Sequence, residues 1–258
     1  MSLLVQWLRA NKISLNSSKT EIVIFRDQRK TITKKLNFRL SGQRIHHSTH
    51  TKYLGLILDE NLSWKQQLNN LAVKLARSTG MLAKLRYYLD YSTMISVYHA
   101  LFNSHLTYCL PSLGFSLQNS FEQIERLQNK ALKIIHFKGI RDSPRPLYAQ
   151  SKILPVRKQL ILRNCLFALD HLNNKLPEYF TDFLRLSGTN HNHGTRNSNS
   201  HLEVRRTNTI RYGSFNIANI IAKDWNSYHQ KITPNFETIS KATFKRHLHS
   251  FLIFDLAR

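Results

Sequence analysis

The sequence predicts an α+β protein, in which a small mixed α/β portion is followed by a mainly α-helical remainder. Short β-branched and apolar runs bounded by turn-forming residues lie within residues 1–60. From Ser63 onward, apolar residues recur at three- and four-residue spacings instead. Hydrophobic residues make up 41% of the 258 residues, and Gly and Pro are scarce, which excludes disordered and collagen-like chains.

The first 60 residues are predicted to hold one helix and a few short strands. Leu4, Trp7 and Leu8 lie at helical spacing, and the helix is expected to end near Asn11. The predicted strands are 21–25, 36–40 and 53–58. The run 36–40 alternates apolar and polar residues, and the chain is expected to turn at Gly42 into a hairpin. These elements are too few for a self-sufficient α/β domain, so we expect them to be the end of a larger one.

The remainder is predicted to be helices separated by polar loops. The predicted helices cover 68–89, 94–102, 121–134, 156–171, a short stretch after Pro177, 217–228 and 236–254. Loops are predicted at 143–146 and, from its Ser, Asn, Gly and Thr content, at 187–200. Trp64 and Trp225 are interpreted first as core residues.

The charge balance predicts a polyanionic partner. The chain carries 38 Lys+Arg against 15 Asp+Glu, a formal charge of +23, and nucleic acids are the commonest cellular polyanions. A device for solubility or a basic ribosomal-type surface is the alternative. The densest basic residues are Arg26, Arg29, Lys30, Lys34, Lys35, Arg39 and Arg44, with a second cluster at Arg196, Arg205, Arg206 and Arg211. Phosphate binding by such clusters predicts steep salt dependence.

Several other classes of protein are not indicated. No run of about 18 apolar residues, basic amphipathic helix with a clean apolar face or lipid-anchoring motif is found, so no membrane partner is expected. Cys109 and Cys165 cannot form a disulfide framework, which favours an intracellular protein with both thiols buried. The histidines at 46, 47, 50, 191 and 193 lack the spacing and the cysteines of a metal site, so no metal is predicted.

Several short motifs resemble the reverse transcriptases of non-LTR retrotransposons. Residues 11–20 (NKISLNSSKT) with Phe25 resemble the family's N-x-L-x-L-N-x-x-K-T-x-x-x-x-F stretch. Tyr53-Leu54-Gly55 with Asp59, Leu62 and Trp64 is similar to its Y-L-G-x-x-x-D-x-x-L-x-W stretch. Residues 127–135 (LQNKALKII) are similar to its L-Q-N-K-A-L-R-x-I helix, whereas residues 108–114 (YCLPSLG) depart from its Tyr-Gly…Trp-Gly segment. Leu176-Pro177, Thr195-Arg196, Trp225-Asn226 and Phe244-Lys245 follow in the order of jockey- and CR1-like elements.

The resemblance implies a domain plan and a parent activity. It divides the chain into the end of a palm (1–60), a helical thumb (61–186), a polar basic loop (187–211) and a C-terminal helical region (212–258). The parent activity is RNA-directed DNA synthesis with Mg²⁺ and deoxynucleoside triphosphates, and it implies a nuclear site of action. The family's metal-binding aspartates precede the matched motifs, and no adjacent Asp pair occurs here. We therefore expect no catalytic residue and no cofactor in this chain.

The expected partners are RNA, DNA or their hybrid, together with an N-terminal polymerase portion supplied separately. The candidate nucleic-acid-binding residues are Lys19, Thr20, Arg26, Arg29, Lys30, Lys34, Lys35, Tyr53, Leu54 and Gly55. Lys19 matches the palm lysine near the incoming triphosphate; its alternative is a surface lysine after a turn. Tyr53-Leu54-Gly55 would position the primer, unless it is an ordinary hairpin with a buried tyrosine. The basic stretch would track phosphates, unless it is a solvated hairpin.

Two further hypotheses remain open at this level. The chain could be a host-adopted helical nucleic-acid-binding protein that kept the thumb and lost the chemistry. It could also be a truncated element copy without function, since a palm remnant would leave strand edges uncovered. Strong binding with an orderly salt slope favours the first, and poor folding favours the second.

Overall fold

Helices dominate the computed structural model, and the strands are few and short. The structure describes residues 2–14, 16, 19–27, 29–30, 37–40, 43–114, 118–190, 200–208, 216–232 and 238–257. This confirms the predicted α+β class with mostly helices. The contacts divide the chain into two compact units, Met1–Asn70 and Leu71–Arg258.

The first unit contains one complete α-helix, six short strands and the start of a second α-helix among its described residues. The complete elements are α1 (Ser2–Ala10), β1 (Glu21–Ile22), β2 (Arg39–Leu40), β3 (Gln43–Arg44), β4 (His46–His47), β5 (His50–Tyr53) and β6 (Leu56–Asp59). The described strands pair as β1 with β4 in parallel, and as β2 with β3 and β5 with β6 antiparallel. α1 ends as predicted, because the Asn11 side chain caps the Trp7 carbonyl and Lys12 turns left-handed with φ 54°.

Two strand predictions need correction. Residues 53–58 do not form one strand, because the chain reverses at Leu54 and Gly55, whose φ angles are 46° and 82°. Positive φ at both central residues is typical of a two-residue hairpin loop. The predicted strand 21–25 is limited to Glu21–Ile22. The hairpin expected around 36–42 is present as β2 and β3, although Gly42 lies outside the described residues.

The long helices predicted from Ser63 onward are present, although the predicted helix 94–102 is divided between an α-helix and a π-helical segment, and the predicted helix 236–254 begins only at Lys241. Their bounds are α2 (Lys65–Leu85), α3 (Tyr91–Val97), a π-helical segment (Tyr98–Asn103), α4 (Ser104–Thr107), α5 (Leu110–Leu113), α6 (Gln118–Ile135), α7 (Arg145–Ser151), α8 (Val156–Leu172), α9 (Ile217–Ile232) and α10 (Lys241–Ala257). Short 3₁₀ turns occupy Glu178–Phe180 and Ser187–Asn190. The predicted loop at 143–146 ends early, since α7 begins at Arg145. Of the predicted loop at 187–200, residues 191–199 lie outside the described ranges.

The second unit has a core in which α8, α9 and α10 meet. Trp225 is fully buried there, with its ring stacked on His229 and near Phe244. Trp64, in the first unit, is also buried, so both tryptophans are core residues as predicted. Cys165 is buried as expected, but the prediction for Cys109 was wrong: it is only half-buried and forms a left-handed turn with φ 51°.

Buried and half-buried side-chain amides fix several of these helices to one another and to an extended segment. Gln128 on α6 donates to the Tyr98 hydroxyl and the Leu154 carbonyl, and its Oε1 accepts from the Val156 N–H at 2.9 Å. Asn226 on α9 exchanges two hydrogen bonds with the Leu202 backbone, both at 2.8 Å. The Gln and Asn of the recognised motifs therefore have structural roles in this chain.

Candidate nucleic-acid interface

The hairpin of β5 and β6 presents an aromatic side chain at its tip. Tyr53 pairs with Leu56 at the end of the ladder, and its side chain is 62% exposed. Leu54, at the turn, is 73% exposed, and Lys52 is also exposed. The alternative of a hairpin with a buried tyrosine is therefore wrong. A tyrosine, an aliphatic side chain and a cation at one tip can contact a sugar or base and a phosphate.

Asp59 fixes the base of this hairpin. Its carboxylate accepts hydrogen bonds from the backbone N–H of Asn61 at 3.1 Å, and from those of Ser63 and Trp64 at 3.0 Å each. These bonds hold a turn in which Leu62 and Trp64 have φ angles of 48° and 61°. The turn buries the Trp64 side chain. The Asp, Leu and Trp of the Y-L-G-x-x-x-D-x-x-L-x-W pattern thus belong to one hydrogen-bonded turn at the base of the hairpin.

Arg26 lies at the same base, held by Glu60. Its guanidinium donates two hydrogen bonds to the Glu60 carboxylate, at 2.8 and 3.2 Å, and one to the Lys30 carbonyl. Its backbone N–H also donates to the Glu60 carbonyl at 2.9 Å. Arg26 is therefore occupied by a half-buried ion pair, whereas Arg29 and Lys30 are exposed. Lys34 and Lys35 lie outside the described residues.

Lys19 and Thr20 belong to a separate turn. The Asn16 side chain accepts a hydrogen bond from the Lys19 N–H at 3.2 Å, and the Thr20 hydroxyl donates to the Asn16 carbonyl at 2.8 Å. The Lys19 side chain is exposed. The structure joins Arg26 to the base of the hairpin through the Glu60 carboxylate.

The second unit carries an exposed aromatic and cationic surface that the sequence did not reveal. We call the group formed by Arg86, Tyr87, Tyr88 and Phe137 the Arg86 surface. The guanidinium of Arg86 lies 4.6 Å from the Tyr87 ring centroid and 4.8 Å from that of Phe137. Tyr87, Tyr88 and Phe137 are 70%, 84% and 59% exposed. Exposed rings braced by a cation form a surface on which bases can stack.

Only part of the Arg86 surface has a local sequence signal. The run Arg86-Tyr87-Tyr88 directly after a leucine-spaced helix is a recognisable basic-aromatic motif. Phe137 enters from the left-handed turn that ends α6, with φ 54°. No periodicity relates that turn to the end of α2, so only the fold brings the two together.

The described residues include no group of three or more His, Cys, Asp or Glu side chains placed to hold a metal ion. His46 and His47 lie exposed on β4, and His191 and His193 fall outside the described ranges. None of the described helices has the length and apolar character needed to cross a membrane.

Comparison with known proteins identifies a region related to reverse transcriptases. The chain is 26% identical over 134 residues to the RNA-directed DNA polymerase from the mobile element jockey of Drosophila melanogaster. The match covers 50% of this chain but only 14% of the length of that relative. No family model and no solved structure matches the chain.

Proposed function

We propose that this chain is the template–primer-binding part of a non-LTR retrotransposon reverse transcriptase, comprising the end of the palm, the thumb and a C-terminal helical region. It would bind RNA, DNA or an RNA–DNA hybrid in the nucleus. The observation that carries the proposal is the exposed Tyr53-Leu54-Gly55 tip, braced by the Asp59 turn in a sequence related to a jockey polymerase. The resemblance assigns primer positioning to this tip.

The geometry of the hairpin suits a contact with a nucleic-acid strand. The antiparallel ladder, the Asp59 hydrogen bonds and the bond from the Ile57 N–H to Gln67 Oε1 at 3.0 Å limit the motion of the strands. Little conformational entropy is then lost when Tyr53 contacts a base or sugar. Stacking of a base on an aromatic side chain contributes about 1–3 kcal/mol.

Electrostatics supply the rest of the proposed affinity. The net charge of +23 attracts phosphates over a long range, and exposed Arg29 and Lys30 add local cations in the first unit. The Arg86 surface offers a stacking contact in the second unit for unpaired bases. Backbone recognition without base readout is the mode expected for a polymerase, which must accept any sequence.

The proposed activity of the chain by itself is binding, without polymerisation. Nucleotidyl transfer needs two divalent metal ions held by carboxylates, and the sequence contains no adjacent pair of aspartates. Mg²⁺ and deoxynucleoside triphosphates would therefore act only with a polymerase portion that supplies those carboxylates. Magnesium-dependent nucleotide incorporation by the purified chain would contradict this half of the proposal.

Fluorescence anisotropy tests the binding half. Labelled RNA–DNA primer–template, single-stranded RNA and duplex DNA are titrated across a salt series with the wild type, Tyr53→Ala and Tyr179→Ala. Tyr179 is the matched control, because it is a 93% exposed tyrosine on a 3₁₀ turn and belongs to neither the β5–β6 hairpin nor the Arg86 surface. We expect preference for the hybrid and a loss of roughly fivefold or more for Tyr53→Ala only. Equal affinities for the wild type and both variants, or no preference among the nucleic acids, would overturn the proposal.

A further inference from the structure

A cationic cleft lies within the second unit, apart from the Arg86 surface. It has a volume of about 270 Å³ and is formed by the π-helical segment, the residues after α7, α8 and α10. Lys152, Arg163 and Lys245 reach it from three different elements, and His99 and His249 complete its polar wall. No acidic side chain lies among the described residues that line it. Its floor is apolar, formed in part by Ile153 and Leu162.

The contact between α8 and α10 has paired charges at both of its ends but not at the cleft. Lys158 on α8 forms an ion pair with Asp255 on α10, and Asp170 on α8 pairs with Lys241 on α10. These pairs show that the helices run antiparallel, with charges compensated at both ends of their contact. Between the two pairs lie Arg163 and Lys245, and neither forms an ion pair with a described residue. Two uncompensated cations at one cleft favour the binding of an anion.

The neutral polar groups of the cleft are also suited to an anion. Burial lowers the pKa of His99 and His249, and the charge of Lys245 lowers that of His249 further. Asn103 Nδ2 donates to His99 Nδ1 at 3.3 Å, and an amide nitrogen carries a second N–H that can donate to an anion. The Thr107 hydroxyl is at the same wall. Hydrogen-bonding groups thus surround a site where positive charge is in excess.

We propose that this cleft binds a phosphate group, with Arg163 and Lys245 as its principal ligands and Lys152 as a third cation. A guanidinium can donate two parallel hydrogen bonds to phosphate oxygens, and the lysine ammonium groups add charge from the opposite walls. The phosphate could belong to a free or terminal phosphomonoester or to the diester backbone of a nucleic acid. Binding of a nucleic-acid backbone phosphate rests on the proposed function, whereas binding of a phosphomonoester does not.

The test compares an anion-site variant with matched surface variants. Arg163→Gln/Lys245→Gln removes the two principal cations, and Arg246→Gln/Lys223→Gln removes one exposed Arg and one exposed Lys elsewhere in the second unit. Circular dichroism confirms that both variants are folded. Anisotropy is then measured with an oligonucleotide carrying either a 5′-phosphate or a 5′-hydroxyl, with inorganic phosphate as the competitor at constant ionic strength.

Each source predicts a distinct result. A terminal-phosphate site binds the 5′-phosphorylated oligonucleotide about tenfold more tightly than the 5′-hydroxyl form, inorganic phosphate competes, and the anion-site variant loses this preference. A backbone site binds both oligonucleotides alike, and the anion-site variant lowers the affinity about tenfold more than the surface variant. Equal losses of oligonucleotide affinity in the two variants, without a 5′-phosphate preference in the wild type, would overturn the proposal that the cleft binds phosphate. They would leave the Tyr53 comparison unaffected.

Discussion

Gln128 is a buried side chain whose hydrogen bonds can be tested directly. Gln128→Leu keeps much of the volume but leaves the Tyr98 hydroxyl and the Val156 N–H without their partner, whereas the Leu154 carbonyl keeps a bond from Gln159. We expect the free energy of unfolding to fall by about 3 kcal/mol, because each orphaned buried group costs about 1–3 kcal/mol. Urea unfolding followed by circular dichroism measures the loss.

The control for this substitution lies on the same helix. Gln123→Leu changes an exposed glutamine of α6 in the same way, and its effect should stay within about 0.5 kcal/mol. If both variants unfold at the same urea concentration, the Gln128 hydrogen bonds do not stabilise the fold as we describe.

Asp59 provides a second prediction at the residue scale. Asp59→Ala removes the acceptor of the Asn61, Ser63 and Trp64 amides, so their hydrogen exchange should accelerate by about tenfold or more, equivalent to about 1.4 kcal/mol. Native-state hydrogen exchange by NMR measures this change. Asp182→Ala, at a carboxylate that is 91% exposed, should leave these three amides unaffected. Unchanged exchange in Asp59→Ala would refute the role of the carboxylate.

At the scale of elements, the helices were predictable from sequence and the small strands were not. The sequence pattern predicts α2, α6 and α8 within a few residues of their observed bounds, because apolar residues recur on one face over several turns. Strands of two to four residues give no such repetition. The apolar run at 53–58 therefore predicted one strand, whereas positive φ at Leu54 and Gly55 divides it into a hairpin.

The turn itself is testable by a glycine substitution. Gly55→Ala places a Cβ on a residue with φ 82°, so we expect the hairpin to lose roughly 1 kcal/mol of stability. Gly80→Ala is the control, because it lies inside α2 with open space around the new Cβ and should stabilise by about 0.5–1 kcal/mol. Hydrogen exchange of the β5 and β6 amides reports the first change. Equal protection in wild type and Gly55→Ala would contradict the turn conformation.

At the scale of the whole molecule, composition predicts a polyanionic partner but not where the fold places the cations. A charge of +23 indicates a polyanion wherever the cations lie. The ion pair of Arg26 with Glu60 and the cleft at Arg163 and Lys245 both depend on tertiary contacts between distant segments. The same holds for Phe137 beside Arg86. The spacing of residues along the chain does not show which distant residues come into contact. These three features could therefore be identified only from the folded structure.

Buried titratable groups predict how stability depends on pH. Burial lowers the pKa values of His99, His136, His229 and His249 below the ordinary 6.5, so the unfolded chain binds more protons below that pH. Stability should therefore fall as the pH drops below about 6.5. Burial raises the pKa of Cys165 above 9.0, and those of Tyr98 and Tyr148 above 10.0. Ionisation of the unfolded chain should then reduce stability above about pH 9.

The urea midpoint should consequently be highest between about pH 7 and 9 and lower at pH 5 and pH 10.5. The raised pKa of half-buried Asp224 acts the other way, because the folded chain then holds this proton at a higher pH than the unfolded chain does. His229→Gln should flatten the acid side, because the neutral amide needs no deprotonation to remain buried beside Trp225. His247→Gln is the control, since that side chain is exposed on α10. A midpoint at pH 5 above that at pH 8 would contradict the assignment of acid lability to these histidines, and identical slopes for the two variants would contradict the part assigned to buried His229.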